Sequence, residues 1–332
     1  YICGLRARIE CEPSSEHSTR SDRVTNIGYR LSLEASVLLR KSTLSCQIRI
    51  QCCIIPLVVI FFNIQGVFIM QLLKVYYAYF SPGNTTEKVL SRIASSFENY
   101  PVESINLTSY DERQQEHHFK ENELLIIGVP AYGGRVPVPV VDALSRFSGL
   151  NTPVILVATY GNRDIDDTLM ELKKNVTDKG FIPVGAASFV CQHTFLKECA
   201  EGRPDEEDLK IAKEFGDKLK ERLRLLVTYD AGDLEVPGSY PYSKPPMGEF
   251  PFKVETNEYC IYCMLCADVC PVKAISDSNP KDIDNSKCLR CGSCLRICPT
   301  QAKSFTEEPF KALQQKLAPL CGIRKENWYT IC

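Results

Sequence analysis

The sequence predicts a doubly wound α/β unit on a five-stranded parallel sheet, followed by a small α+β unit organised by cysteines. Three observations carry this. From Leu72 onward, short apolar runs alternate with amphipathic stretches, the pattern of strands and crossover helices. Eight of the seventeen cysteines fall in two copies of one spacing late in the chain. Between the two patterns lies a stretch holding Pro237, Pro241, Pro245 and Pro246 with no apolar period.

At 332 residues the chain has room for two domains. The expected divisions are 1–69, a leader; 70–229, the α/β unit; 230–249, a semi-rigid proline-rich linker; 250–305, the cysteine unit; and 306–332, a C-terminal tail. A formal net charge of −2 lacks the basic excess of a nucleic-acid binder. Residues 249–305 hold as many acidic as basic side chains, so no partner held by a strongly acidic patch is indicated.

The first 69 residues show little periodicity and no metal-site spacing, and they lead into the apolar run 54–70. Two readings stand. The run is interrupted by Pro56, Asn63, Gln65 and Gly66 and sits at the lower limit for a spanning helix, so a membrane anchor is one. The other is upstream sequence read in frame, with Met70 opening the protein. Nothing resembles a cleavable secretory signal, and the expected setting is a reducing cytoplasm with thiols free.

Strands are expected at 72–80, 103–107, 124–129, 154–159 and 183–190. Helices are expected at 86–97, 139–147, 166–178 and 204–226. In the last helix Leu209, Ala212, Phe215, Leu219, Leu223 and Leu226 recur at three- and four-residue steps, which makes one buried stripe. Ligands bind such sheets outside the carboxyl ends of the strands, so the loops after strands one, three and four matter most. The first, Ser81-Pro82-Gly83-Asn84-Thr85-Thr86, opens a helix with hydroxyls and free N–H groups, a setting for one phosphate or for an ordinary helix cap. It has neither the NTPase nor the dinucleotide glycine spacing. The other two loops, Ala131-Tyr132-Gly133-Gly134 and Tyr160-Gly161-Asn162, each set an aromatic face beside glycine, as a planar ring requires.

In the cysteine unit the spacing Cys260-x2-Cys263-x2-Cys266-x3-Cys270-Pro271 repeats as Cys288-x2-Cys291-x2-Cys294-x3-Cys298-Pro299. This is the bacterial two-cluster ferredoxin pattern, in which the fourth cysteine of each run ligates the other cluster. One 4Fe-4S cluster is therefore expected on Cys260, Cys263, Cys266 and Cys298, and a second on Cys288, Cys291, Cys294 and Cys270. Zinc ribbons pair two short knuckles across a wide gap and do not stack four cysteines this densely. Tyr259 and Tyr262 are expected to shield the first cluster. Cys191, Cys199, Cys321 and Cys332 have no partner spacing and read as buried or incidental thiols. His117 and His118 read as solvated; His193, just after the fifth strand, reads as a packed or hydrogen-bonded histidine or as one that approaches the ligand site.

The three loops look like flavodoxin FMN loops, and joined to the downstream cysteines the chain resembles the flavodoxin/ferredoxin fusion proteins of anaerobes. The resemblance spans about residues 70–305, including Gly202-Arg203-Pro204-Asp205. It implies FMN, with the phosphate on Ser81, Asn84, Thr85 and Thr86 and the ring between the Tyr132 and Tyr160 loops. It also implies electron exchange with redox partner proteins. The chain departs from the family in its phosphate turn, where Ser81-Pro82 runs directly into Gly83-Asn84 without the usual extra threonine, so that either a residue is missing or Asn84 takes a glycine's place. A different reading follows from that departure: a ferredoxin whose flavodoxin-like domain lacks FMN and serves as a docking module.

Overall fold

A computed structural model describes residues 72–196, 198–225, 234–246, 248, 250–321 and 323–332. The leader and its apolar run lie outside the described residues. Among the described residues no helix is long and apolar enough to cross a membrane.

The central sheet contains β1 (Lys74–Tyr79), β2 (Val102–Asn106), β4 (Glu123–Pro130), β6 (Thr152–Tyr160) and β7 (Phe181–Val190), all parallel. Their spatial order is β2-β1-β4-β6-β7, the doubly wound order of flavodoxin-like folds. The inner strands are near-continuous apolar runs, ELLIIGV in β4 and PVILVA in β6, because helices cover both faces. The edge strand β2 is short, largely exposed and carries Glu103, which discourages pairing with another chain.

Helix α1 (Thr85–Ala94) and helix α4 (Glu206–Leu225) cover one face, where Val89, Leu90, Ile93 and Phe97 meet Ala212, Phe215, Leu219 and Leu223. This is the stripe the sequence predicts, up to Leu223. Helices α2 (Val138–Leu144) and α3 (Thr168–Thr177) cover the other with Val140, Leu144, Leu169, Leu172 and Val176. Gly128 lets α1 approach β4, since a Cβ there would lie 2.2 Å from Leu90 Cδ1.

The sheet departs from five strands. A sixth, β10 (Trp328–Ile331), pairs antiparallel with β7, so the segment expected as a tail closes one sheet edge. Its approach is fixed by side chain to backbone bonds: Asn327 Oδ1 accepts the Val190 N–H at 2.9 Å, and Arg203 Nη1 reaches the Lys325 carbonyl at 2.8 Å. Two three-residue strands, β3 (His117–Phe119) and β5 (Phe147–Gly149), form a separate parallel pair. His117 is therefore not solvated. Its ring lies 4.8 Å from that of Phe147, and burial lowers its pKa.

The linker is docked rather than free. Leu234 is buried, and Asp167 accepts hydrogen bonds from Ser239, Ser243 and Lys244. Beyond it lie β8 (Val254–Thr256), α5 (Leu265–Asp268), α6 (Ser293–Ile297), β9 (Lys303–Phe305) and α7 (Glu307–Leu317). Strands β8 and β9 form an antiparallel pair over a small core of Phe252, Val254, Ile275 and Phe305. Phe195, from the loop after β7, inserts into this core and meets the rings of Phe250, Phe252, Phe305 and Phe310 edge-on at 5.5–5.9 Å.

Candidate functional site

The backbone repeats itself around the cysteine runs. Tyr262, Met264 and Lys273 in the first run, and Arg290, Gly292 and Gln301 in the second, take left-handed conformations. These turns fold each run around a cavity. Cys260, Cys263, Cys266 and Cys298 line one small cavity, and Cys270, Cys288, Cys291 and Cys294 line another. Each small cavity thus brings together three cysteines of one run and the fourth of the other. The two exchanged thiols share one environment: Cys270 Sγ accepts the Ala274 N–H and Cys298 Sγ the Ala302 N–H, both at 3.2 Å. Burial pushes the Cys294 thiol up to about 12, a penalty on the thiolate that a coordinating metal reverses. Among the described residues no three His, Cys, Asp or Glu side chains converge on a single-ion site.

Lys303 lies beside both sets. It is 5% exposed, donates to Thr256 Oγ1 at 2.7 Å and to the Pro280 carbonyl, and its charge favours the thiolates of Cys266 and Cys294. Tyr259 and Tyr262, expected to shield the first set, are themselves 65% and 54% exposed.

A third cavity, of about 740 Å3, opens at the carboxyl ends of the parallel strands. That volume suits a nucleotide-sized ligand. Ser81, Thr85 and Thr86 line it from the first loop, Ala131, Tyr132 and Gly133 from the second, and Tyr160 and Gly161 from the third. Three expected residues lie elsewhere. Asn84 is exposed at the N-cap of α1 with φ 62°, so it fills the left-handed role open to glycine. Gly134 packs on Asp166, where a Cβ would lie 2.3 Å from Oδ2. Asn162 is buried, and its amide donates to the carbonyls of Cys321 and Ile323 at 3.2 and 2.7 Å, so it anchors the approach to β10.

The N–H groups of Thr85 and Thr86, the first of α1, meet no acceptor among the described residues. Thr86 Oγ1 and Thr159 Oγ1 are hydrogen-bonded at 2.7 Å, and Ser81 Oγ accepts the Glu87 N–H at 3.0 Å. The second loop is held by a buried pair, Arg135 donating to both Glu171 oxygens at 2.8 and 2.6 Å. Burial holds the Tyr132 phenol well above its usual range, Cys291 adds to the rise and Arg296 opposes it. His193 also lines the cavity, and burial followed by the charge of Arg163 lowers its pKa to about 4.

The wall opposite the loops belongs to the cysteine unit. Leu289, Cys291, Gly292, Arg296, Phe250 and Phe305 line it. None of these was expected from sequence at this site, because the signal lies in how the two units dock. Cys199 and Cys321, expected as incidental thiols, form a disulfide 122 residues apart in sequence. Cys199 lies against the third loop, its Sγ 3.4 Å from the Gly161 carbonyl.

Residues 252–311 match the family model of a 4Fe-4S dicluster domain. No curated protein matches the chain. Among solved structures, a flavodoxin from the domain Archaea is 15% identical, covering 46% of this chain and 99% of its own, with a TM-score of 0.35. Flavodoxin 2 from Bacillus cereus is 16% identical over 45% and 99%, with a TM-score of 0.34. A flavodoxin from Streptococcus pneumonia is 14% identical over 45% and 99%, with a TM-score of 0.33. By its strand order and its cysteine segment, the chain combines a flavodoxin-like α/β fold with a ferredoxin-type 4Fe-4S domain, an arrangement suited to electron transfer.

Proposed function

We propose that the chain relays electrons between two 4Fe-4S clusters and one FMN, and through them to redox partner proteins. The observation that carries this is a shared wall. Leu289, Cys291 and Gly292 line both the large cavity at the strand ends and the cavity of the second cysteine set. A carrier in one would be separated from a carrier in the other by a single layer of residues.

The donor sets fit these groups. Four thiols surround each small cavity, and the large one offers unspent N–H groups at one end and two tyrosines further in. When bound, the clusters supply one-electron steps and FMN one- or two-electron steps, so the pairing converts one into the other.

The chain's own residues set the conditions. Cys260, Cys263, Cys266 and Cys298 would hold one cluster, and Cys288, Cys291, Cys294 and Cys270 the other. Ser81, Thr85 and Thr86 would hold the phosphate, and Tyr132 and Tyr160 would flank the ring. Phe195, Phe250 and Phe305 make one wall apolar and exclude water. His193 stays neutral near pH 7. Its Nδ1 accepts the N–H groups of Phe195 and Leu196 at 3.0 and 3.3 Å, which places the ring proton on Nε2.

The test is anaerobic purification of the full chain with iron, sulfide and released flavin measured on one sample. About eight irons and eight sulfides accompany two such clusters, together with one FMN. The same iron without flavin would overturn the relay and leave a ferredoxin with a docking module, the reading the shortened phosphate turn favours.

A further inference from the structure

We infer that Arg296, on the cysteine unit, is a binding residue for the flavin phosphate, so that the phosphate site is assembled from both units of the chain. This rests on the FMN reading above. A flavin phosphate carries more than one negative charge near neutral pH, yet the loop at 81–86 offers only hydroxyls and N–H groups. The nearest lysine of that segment, Lys88, is turned away, its Nζ donating to the Pro204 carbonyl at 2.9 Å.

Arg296 supplies the missing cation. Its Nη2 donates to the Pro82 carbonyl at 2.7 Å and to the Cys291 carbonyl at 2.9 Å. A Cβ built on Gly83 would lie 3.9 Å from the same nitrogen, and Arg296 lines the cavity together with Ser81, Gly83 and Thr85. Among the described residues no acceptor meets its Nη1 or Nε and no carboxylate pairs with it. Arg296 is exposed, and an exposed guanidinium with donors to spare on the rim of the cavity that Ser81 and Thr85 also line is suited to a phosphate.

A second contact holds the same carbonyl: Ser293 Oγ donates to Pro82 O at 2.8 Å, so α6 braces the loop at 81–86. Because α6 carries Cys294 and follows Cys291, the residues that order the second cysteine set also position the phosphate's cation. Flavin retention is thereby tied to the integrity of that set.

The experiment compares two ligands that differ only in the phosphate. FMN and riboflavin are titrated, by quenching of flavin fluorescence, into the flavin-stripped full chain, its Arg296→Gln variant and its Arg296→Lys variant, with iron content measured on each. The inference expects Arg296→Gln to weaken FMN by roughly tenfold, as for loss of a hydrogen bond to a charged group. Riboflavin affinity and iron content should be unchanged, and Arg296→Lys should recover part of the loss. Equal weakening of both flavins would overturn it and make Arg296 a brace for Pro82 alone. An unchanged preference for FMN would overturn it by placing the phosphate beyond its reach. Wild-type protein that binds neither flavin would overturn the flavin reading itself.

Discussion

Asp167→Asn should undock the linker while leaving the sheet intact. The Asp167 carboxylate is 2% exposed and accepts five hydrogen bonds from one short segment. Oδ1 takes the N–H and hydroxyl of Ser239 at 3.0 and 3.1 Å; Oδ2 takes the N–H and hydroxyl of Ser243 at 2.6 and 2.8 Å and the Lys244 N–H at 3.0 Å. Burial alone would raise its pKa, but these donors outweigh it and hold the group at about 2, against an ordinary 3.8. That depression corresponds to about 2 kcal/mol favouring the docked, ionised state. The contribution is complete above about pH 4 and is lost as the pH falls through about 2, since protonation removes the acceptor the segment needs. Asparagine keeps one oxygen and turns an NH2 group toward donors, so the population with the linker undocked should rise roughly thirtyfold. Amide hydrogen exchange at Ser243 and Lys244 reads this opening directly. Unchanged protection at those two amides would refute the reasoning, as would an equal loss across β4 and β6, which would mean global destabilisation.

Arg203→Met should cost about 3–5 kcal/mol in a denaturant titration, because it strands the Asp208 carboxylate, whose side chain is 1% exposed. Gly161→Ala places a Cβ 2.4 Å from His193 Cδ2 and should cost about 1–3 kcal/mol by the same assay, with the histidine ring displaced. Cys321→Ser, removing the Cys199–Cys321 bridge, should lower stability by about 2–4 kcal/mol under non-reducing conditions and by nothing once reductant is added. On the cluster reading, Lys303→Met should shift cluster reduction to more negative potential in an EPR-monitored titration, because a buried cation beside Cys266 and Cys294 is lost.

What could be read from the sequence was whatever the chain determines locally. The inner strands announce themselves because a strand buried on both faces must be apolar at every position, as 124–129 and 154–158 are. The cysteine sets announce themselves because three of each four thiols come from one tight turn, and the fourth arrives by the same rule from the repeat. Strand β10 could not be read in this way. Four residues, WYTI, carry too little pattern, and its place is set by Asn162, Asn327 and Arg203, whose partners lie more than a hundred positions away in sequence. The disulfide was hidden for the same reason, since spacing identifies cysteines that meet within a turn and says nothing of two joined by folding. The large cavity combines both cases. Its loop side follows from the switch-point rule applied to a legible sheet. Its far side, with Cys291 and Arg296 facing Tyr132 and Gly83, exists because the two units dock, Phe195 among four phenylalanines of the second unit and the Pro82 carbonyl on Ser293 and Arg296. Each unit's own sequence therefore describes half of this cavity, and a reading made from the loop at 81–86 alone leaves out Arg296 on the opposite wall.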